Sequence, residues 1–227
     1  MQNSHPPTAP SERTRVRRVP KRADYEPGVI HAILDEALVC HVGFVVDEQP
    51  FVIPTIHLRQ GNELFIHGSA ASRMILHAAA GARLCVTVTL VDGVVLARSQ
   101  FHHSLNYRSV VVLGQARLVV DPAEKRRVFA SLVERFSPGR SAAVRAPNEL
   151  ELKATSLLAL PIDEASAKTR TGGPIDDEAD LAWPVWAGVI PLRLAAMAPE
   201  VAEPLAPGTC APDLGRPFGA ARSVEGG

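Results

Sequence analysis

What most constrains this chain is a succession of short apolar runs, rich in β-branched residues and separated by turn-forming residues, between positions 39 and 162. Consecutive antiparallel strands read this way. Residues 39–46 lead through Asp47 to Pro50 into a second run at 51–58, and Gln60-Gly61-Asn62 turns the chain into a third at 63–67. Residues 84–91 read as a buried strand, and Asp92-Gly93 reads as a tight hairpin turn into residues 94–98. The longest candidate strand covers 108–120 and a last one covers 156–162. Helices are few. One is expected after Asp24 and Pro27, where Val29, Ile30, Ile33, Leu34 and Ala37 recur at helical spacing. A small one is expected at 69–80. A third starts at the Asp121 cap and Pro122 and runs to about Phe136, with Val128, Leu132, Val133 and Phe136 on one stripe. So many strands with so few helices predict a mainly β protein, a β-barrel with helical decoration. Closure would remove exposed strand edges, whereas a parallel α/β sheet needs a helix after nearly every strand.

The 227 residues suffice for one good core. The expected division is a flexible basic tail at 1–22, one domain at 23–195, and a disordered tail rich in Ala, Pro and Gly at 196–227. Residues 1–22 carry Arg13, Arg15, Arg17, Arg18, Lys21 and Arg22 among prolines, a composition that buries little apolar surface. Lys plus Arg equal Asp plus Glu at 24 each, so no bulk field draws the chain to nucleic acid or an anionic membrane, and any anion must meet a local cluster. No apolar run is long enough to span a bilayer, and the start carries neither an apolar core nor a cleavage pattern. A cytoplasmic location is expected. Cys40, Cys85 and Cys210 fit neither a disulfide framework nor a paired zinc motif.

Chemistry concentrates in Ile66-His67-Gly68-Ser69-Ala70-Ala71-Ser72-Arg73-Met74. A strand there ends in glycine and small hydroxyl residues, and a helix bearing an arginine begins. Backbone N–H groups, serine hydroxyls and a guanidinium fork together supply the several donors that a phosphate monoester needs. No metal is expected, because His102 and His103 would face opposite ways in a strand and no Cys-x-x-Cys or His-x-x-x-His pair is present. No Gly-x-Ser-x-Gly elbow supports a hydrolase triad.

Pro54-Thr55 inside a strand, then His67-Gly68-Ser69 with Ser72-Arg73, then Asn106 to Gly114, resemble the pyridoxamine 5'-phosphate oxidase-like superfamily. The similarity is greater to its flavin-nucleotide-binding branch, which includes nitroimidazole-resistance proteins. It runs from about Arg15 to Leu194 and takes in the segments 164–168 and 186–191. The resemblance implies an FMN-binding split β-barrel that forms a homodimer, with an FMN at each of two sites across the subunit interface. By the same resemblance Ser72 and Arg73 contact the phosphate, while Met74 stands where the oxidases usually have lysine. Pro54 and Thr55 lie on the strand whose backbone edges the flavin ring, with His67, Gly68 and Ser69 at the strand end beside it. Ser109, Arg108 before it, Lys168 and Trp186 match the family's other cofactor-facing positions.

The implied function is an FMN-dependent oxidoreductase acting on a small molecule or electron acceptor, with the protein positioning the cofactor rather than supplying an acid-base pair. Oxidation of pyridoxamine phosphate is not expected, because the arginine-bearing C-terminal segment of the true oxidases has no counterpart. Two alternatives stand beside it: a flavin-binding carrier, sensor or regulator without turnover, and a haem-binding split barrel using His41 or His57.

Overall fold

The computed structural model describes residues 8–202 and 204–212. Its centre is a ten-stranded antiparallel sheet. After a two-residue strand β1 (Ala23–Asp24) comes helix α1 (Pro27–Glu36), followed by β2 (Val39–Val46), β3 (Gln49–Gln60) and β4 (Glu63–Ser69). Helix α2 (Arg73–Ala79) separates β4 from β5 (Arg83–Leu96), and β6 (Ser104–Gln115) is followed by the short β7 (Arg117–Leu118). Helices α3 (Pro122–Phe136), α4 (Arg140–Ala143) and α5 (Glu149–Ala154) precede β8 (Thr155–Pro161), β9 (Ala165–Arg170) and β10 (Gly188–Pro191). The strands lie in the order β1-β9-β6-β5-β2-β3-β4-β8-β7, with β10 added to β5. This is the mainly β architecture expected from the strand pattern, split-barrel-like as the family resemblance implies, although among the described residues no pairing closes the two ends of the path.

Alternation explains the core. Along β2, Cys40, Val42 and Phe44 turn inward, and they meet Val86, Val88, Val110, Val112, Leu158 and Leu160 beneath α1. A second, smaller core of Leu58, Phe65, Val119, Leu157 and Ala159 is covered by Val128 of α3. Helix α3 starts as its sequence demands: the Asp121 carboxylate accepts from the Ala123 and Glu124 N–H groups, with Pro122 in the first turn.

Two expectations need correction. Asp92-Gly93 is not a hairpin turn, because β5 runs unbroken through it and both arms pair with β6. The register slips between Val91 and Gly93, and the displaced Asp92 carboxylate takes the Arg108 guanidinium. The strand expected at 108–120 starts four residues earlier, at Ser104, and breaks at Ala116. There the chain passes from pairing with β5 and β9 to pairing with β8. Strand β9, poor in large apolar residues, was not among the expected strands. In the segment read as a basic tail, Arg13 pairs with Glu164, Thr14 is buried and the Val16 N–H donates to the Tyr25 hydroxyl; residues 1–7 are outside the described residues. From 196 to 212 the described residues contain no helix or strand.

Candidate functional site

Strand β3 changes partners midway. Its residues from Gln49 to Ile56 pair with β2, and those from His57 to Gln60 pair with β4. The edge of the first half that faces away from β2 therefore lacks a β4 partner, and it borders a cavity of about 330 Å³. Pro54 and Thr55 form one wall of this cavity; His67, Gly68 and Ser69 at the end of β4, with Ser72 and Arg73 at the start of α2, form the other. Seven of the residues singled out in the sequence thus converge.

Ser69 Oγ accepts from the Ala71 N–H, and Ser72 Oγ caps α2 by accepting from the Ile75 N–H at 3.2 Å. Both serines keep their own O–H free to donate outward. The Arg73 guanidinium lies 4.5 Å over the Phe51 ring and has no carboxylate partner among the described residues. Phe51 stacks on Phe44 with ring centroids 5.7 Å apart, so the cavity has an aromatic wall. Met74 is buried in the main core, leaving Arg73 as the cation here. The set suits a flat, partly apolar molecule carrying one anionic group.

His67 also lines a second, larger cavity of about 720 Å³ under α3 and the α3–α5 connection. On β4 it alternates with the inward-facing Ile66 and points, like Phe65, toward α3, where its ring meets the edge of Phe129 at 6.0 Å. Phe129, Ala130, Val133 and Val144 make the cavity apolar; Arg126, Arg127 and Arg145 add cations. Arg126 and Arg145 pair with Glu149 and Glu151, whereas Arg127 has no ion pair among the described residues. Burial lowers the His67 pKa, so the ring is neutral near pH 7, and its nitrogens make no hydrogen bond among the described residues.

The remaining expected site residues lie elsewhere on the chain. Arg108 is committed to Glu36 and Asp92, which raise its pKa through side-chain hydrogen bonds. Ser109 Oγ donates to the Lys168 carbonyl. Lys168 borders a separate cavity of about 600 Å³ with Arg18, Arg22, Tyr107 and Arg170. The Arg170 guanidinium there is 5% exposed and donates only to neutral acceptors, Asn106 Oδ1 and the carbonyls of Gly172 and Gly173. Trp186 is exposed, with its indole folded over Gly188.

His41 and His57, the histidines considered for haem, line none of these cavities. The His57 ring is sealed in the fold, Nε2 2.9 Å from the Leu34 carbonyl. Sequence reasoning missed the second cavity, where Arg126-Arg127 and Phe129 had registered only as part of an amphipathic helix. Their signal was the adjacent pair of arginines one turn from that aromatic ring.

Residues 26–169 match the family model for pyridoxamine 5'-phosphate oxidase. Among solved structures, the flavocytochrome Anf3 from Azotobacter vinelandii is 40% identical, with a TM-score of 0.86 over 91% of this chain and 96% of its own. The FAD and haem binding protein from Mycobacterium smegmatis is also 40% identical, with a TM-score of 0.80 over 84% of this chain and 94% of its own. No curated protein matches the sequence. Among the described residues, no helix is long and apolar enough to cross a membrane.

Proposed function

Since this chain belongs to the pyridoxamine 5'-phosphate oxidase family, its match extending over residues 26–169, we propose that it is a flavin- and haem-binding oxidoreductase. The observation that carries the flavin half is the convergence of Pro54, Thr55, His67, Gly68, Ser69, Ser72 and Arg73 on one cavity beside an open strand edge. A flavin fits what these residues offer. Backbone groups on the edge of β3 that lacks a β4 partner suit the polar rim of the ring, and the apolar wall of Phe44, Phe51 and Ile53 suits its hydrocarbon part. Ser69 and Ser72 can donate O–H groups and Arg73 an unpaired guanidinium to a phosphate.

The family resemblance points to FMN, for which this cradle suffices. We favour FAD. It is named for the M. smegmatis neighbour, and a dinucleotide carries a second phosphate for which the basic cavity around Lys168, Arg18, Arg22 and Arg170 has cations to spare. Lys168 and Trp186 lie away from the cradle on their own chain, as they would in a site completed by a second copy, so the proposed assembly is a homodimer. The haem half rests on the two neighbours at 40% identity, whose names are those of a flavocytochrome and a haem binder.

Bound together, a flavin would exchange electron pairs with an organic donor or acceptor and a haem iron would exchange single electrons. The chain's residues would hold these groups, orient them and exclude water; the described site presents no acid-base pair.

The visible spectrum of the purified chain should show flavin bands together with a Soret band, and acid extraction should release FAD by mass. Extraction of FMN alone would restore the mononucleotide, and the absence of any flavin would overturn the proposal. Arg73→Ala should fold normally yet retain flavin about tenfold to a hundredfold more weakly, the effect of losing one charge-assisted hydrogen bond. Full occupancy in that variant would remove Arg73 from the phosphate site.

A further inference from the structure

We propose that the cavity between β4, α3 and the α3–α5 connection is the haem seat, with the His67 imidazole as iron ligand and Arg127 toward the propionates. The inference rests on the flavin- and haem-binding reading above and adds to it where the haem lies and what holds it. The cavity of about 720 Å³ is within the range of cofactor pockets. Its walls supply what a tetrapyrrole dianion needs: apolar cover from Phe129, Ala130, Val133 and Val144, and a cation from Arg127, while Arg126 and Arg145 are already paired with Glu149 and with Glu151, which also lines the cavity. Arg127 is exposed and without an ion pair among the described residues, so its charge is available to a carboxylate at the cavity mouth.

A ligating imidazole must face the cavity, must present a nitrogen that no other partner occupies, and must be held in place. His67 meets these conditions: it lines the cavity, no hydrogen bond among the described residues occupies its nitrogens, and its ring meets the edge of Phe129 at 6.0 Å. The histidines considered from the sequence lie elsewhere: His57 is enclosed in protein, and His41 lines none of the cavities described above.

His67 also borders the flavin cavity. One side chain therefore stands in the wall shared by the two proposed cofactor sites, and with both groups bound it would be the residue between them. This arrangement makes His67 a residue whose loss should be read on two chromophores.

Hemin added to the flavin-loaded full-length chain should give a Soret band and, as it binds, quench any residual flavin fluorescence. His67→Gly should lose the band of the ligated form, and added imidazole should restore it, a rescue that a merely misfolded variant would not give. Arg127→Gln should keep the wild-type band position with affinity for hemin weakened on the order of fivefold, as for a solvent-exposed charge pair. His41→Gln should bind as wild type. If His67→Gly kept the wild-type Soret band, or if His41→Gln lost it, this seat would be wrong while the haem reading stood. If the wild-type chain held flavin but took up no hemin, the haem reading itself would fall.

Discussion

Beneath α3, Arg135 and His57 form a unit whose chemistry depends on protonation. The Arg135 guanidinium donates to the His57 carbonyl at 2.7 Å and to the Leu34, Asp35 and Ala37 carbonyls, which gather at the end of α1. It thereby satisfies orphaned helix-end acceptors while fixing α3 across β3. His57 is 1% exposed, its Nδ1 has no hydrogen-bond partner among the described residues, and its Nε2 donates to the Leu34 carbonyl. Burial first, and then the neighbouring Arg135 charge, push its pKa down from 6.5 to about 4. The unfolded chain therefore takes up this proton near pH 6.5, well before the native chain does, and stability falls as pH drops through that window. Unfolding free energy should fall by roughly 2 to 3 kcal/mol between pH 7 and pH 4.5 from this residue. Half-buried His67, whose pKa is also lowered by desolvation, acts in the same direction. Carboxylates with lowered pKa, such as Glu134 and Glu124, add their loss at more acidic pH. Urea titrations at several pH values would read the slope, and His57→Gln, which can still donate to Leu34, should flatten it; an unchanged slope would deny His57 the role. Residues of this kind show where sequence reading stops. His41, His57 and His67 all sit in strands of similar composition, and only the three-dimensional neighbours make one solvent-facing, one sealed and one the wall of two cavities. The convergence of residues on the smaller cavity was legible because one short strand-turn-helix segment contains most of them.

Elements whose signals are local were read correctly, and those decided by distant partners were not. Helix α3 has its cap, its proline and its apolar stripe within one stretch, and β2 has its alternation, so both could be placed from sequence. Asp92-Gly93 carried a strong local hairpin signal, yet the two arms of β5 share one long partner, β6, and pairing across that whole length overrides the turn preference. The glycine serves a different need. A Cβ on Gly93 would come within 3.0 Å of the Ile190 carbonyl and of Val189 Cγ1, both in β10. Backbone cannot move away as a side-chain tip can, so Gly93→Ala should loosen β10 from β5 and destabilise the fold by about 1 to 3 kcal/mol. Hydrogen exchange should show the loss in the amides of Gly188, Val189 and Ile190 before it appears in β6. Uniform protection in both strands would mean that β10 absorbs the extra methyl without moving. Since Trp186 enters β10 two residues ahead of Gly188, the same variant should also change its fluorescence.

For the whole molecule, an open sheet and an incompletely furnished cavity point the same way. In antiparallel pairs, opposed residues share a face, so the register of β2 with β3 sets Val39, Val45 and Val52 on the side away from the main core. All three are exposed, Val52 at 62%, on the strand that also walls the proposed flavin cavity. A second copy packed on this face would cover these valines and bring residues from another chain to the cavity, which is where the proposed homodimer places the complement to Ser72 and Arg73. The consequence separates assembly from folding. Val52→Asp changes an exposed side chain, so the stability of an isolated chain should move by no more than about 0.5 kcal/mol. In the dimer the carboxylate would be trapped without a partner, at a cost large enough to dissociate it. Light scattering across a concentration series should therefore give twice the chain mass for the wild type and the single-chain mass for Val52→Asp, with flavin retention falling together with the dimer. A wild-type chain that stays monomeric while fully loaded with flavin would place the whole site within one copy and leave the exposed valines without that role.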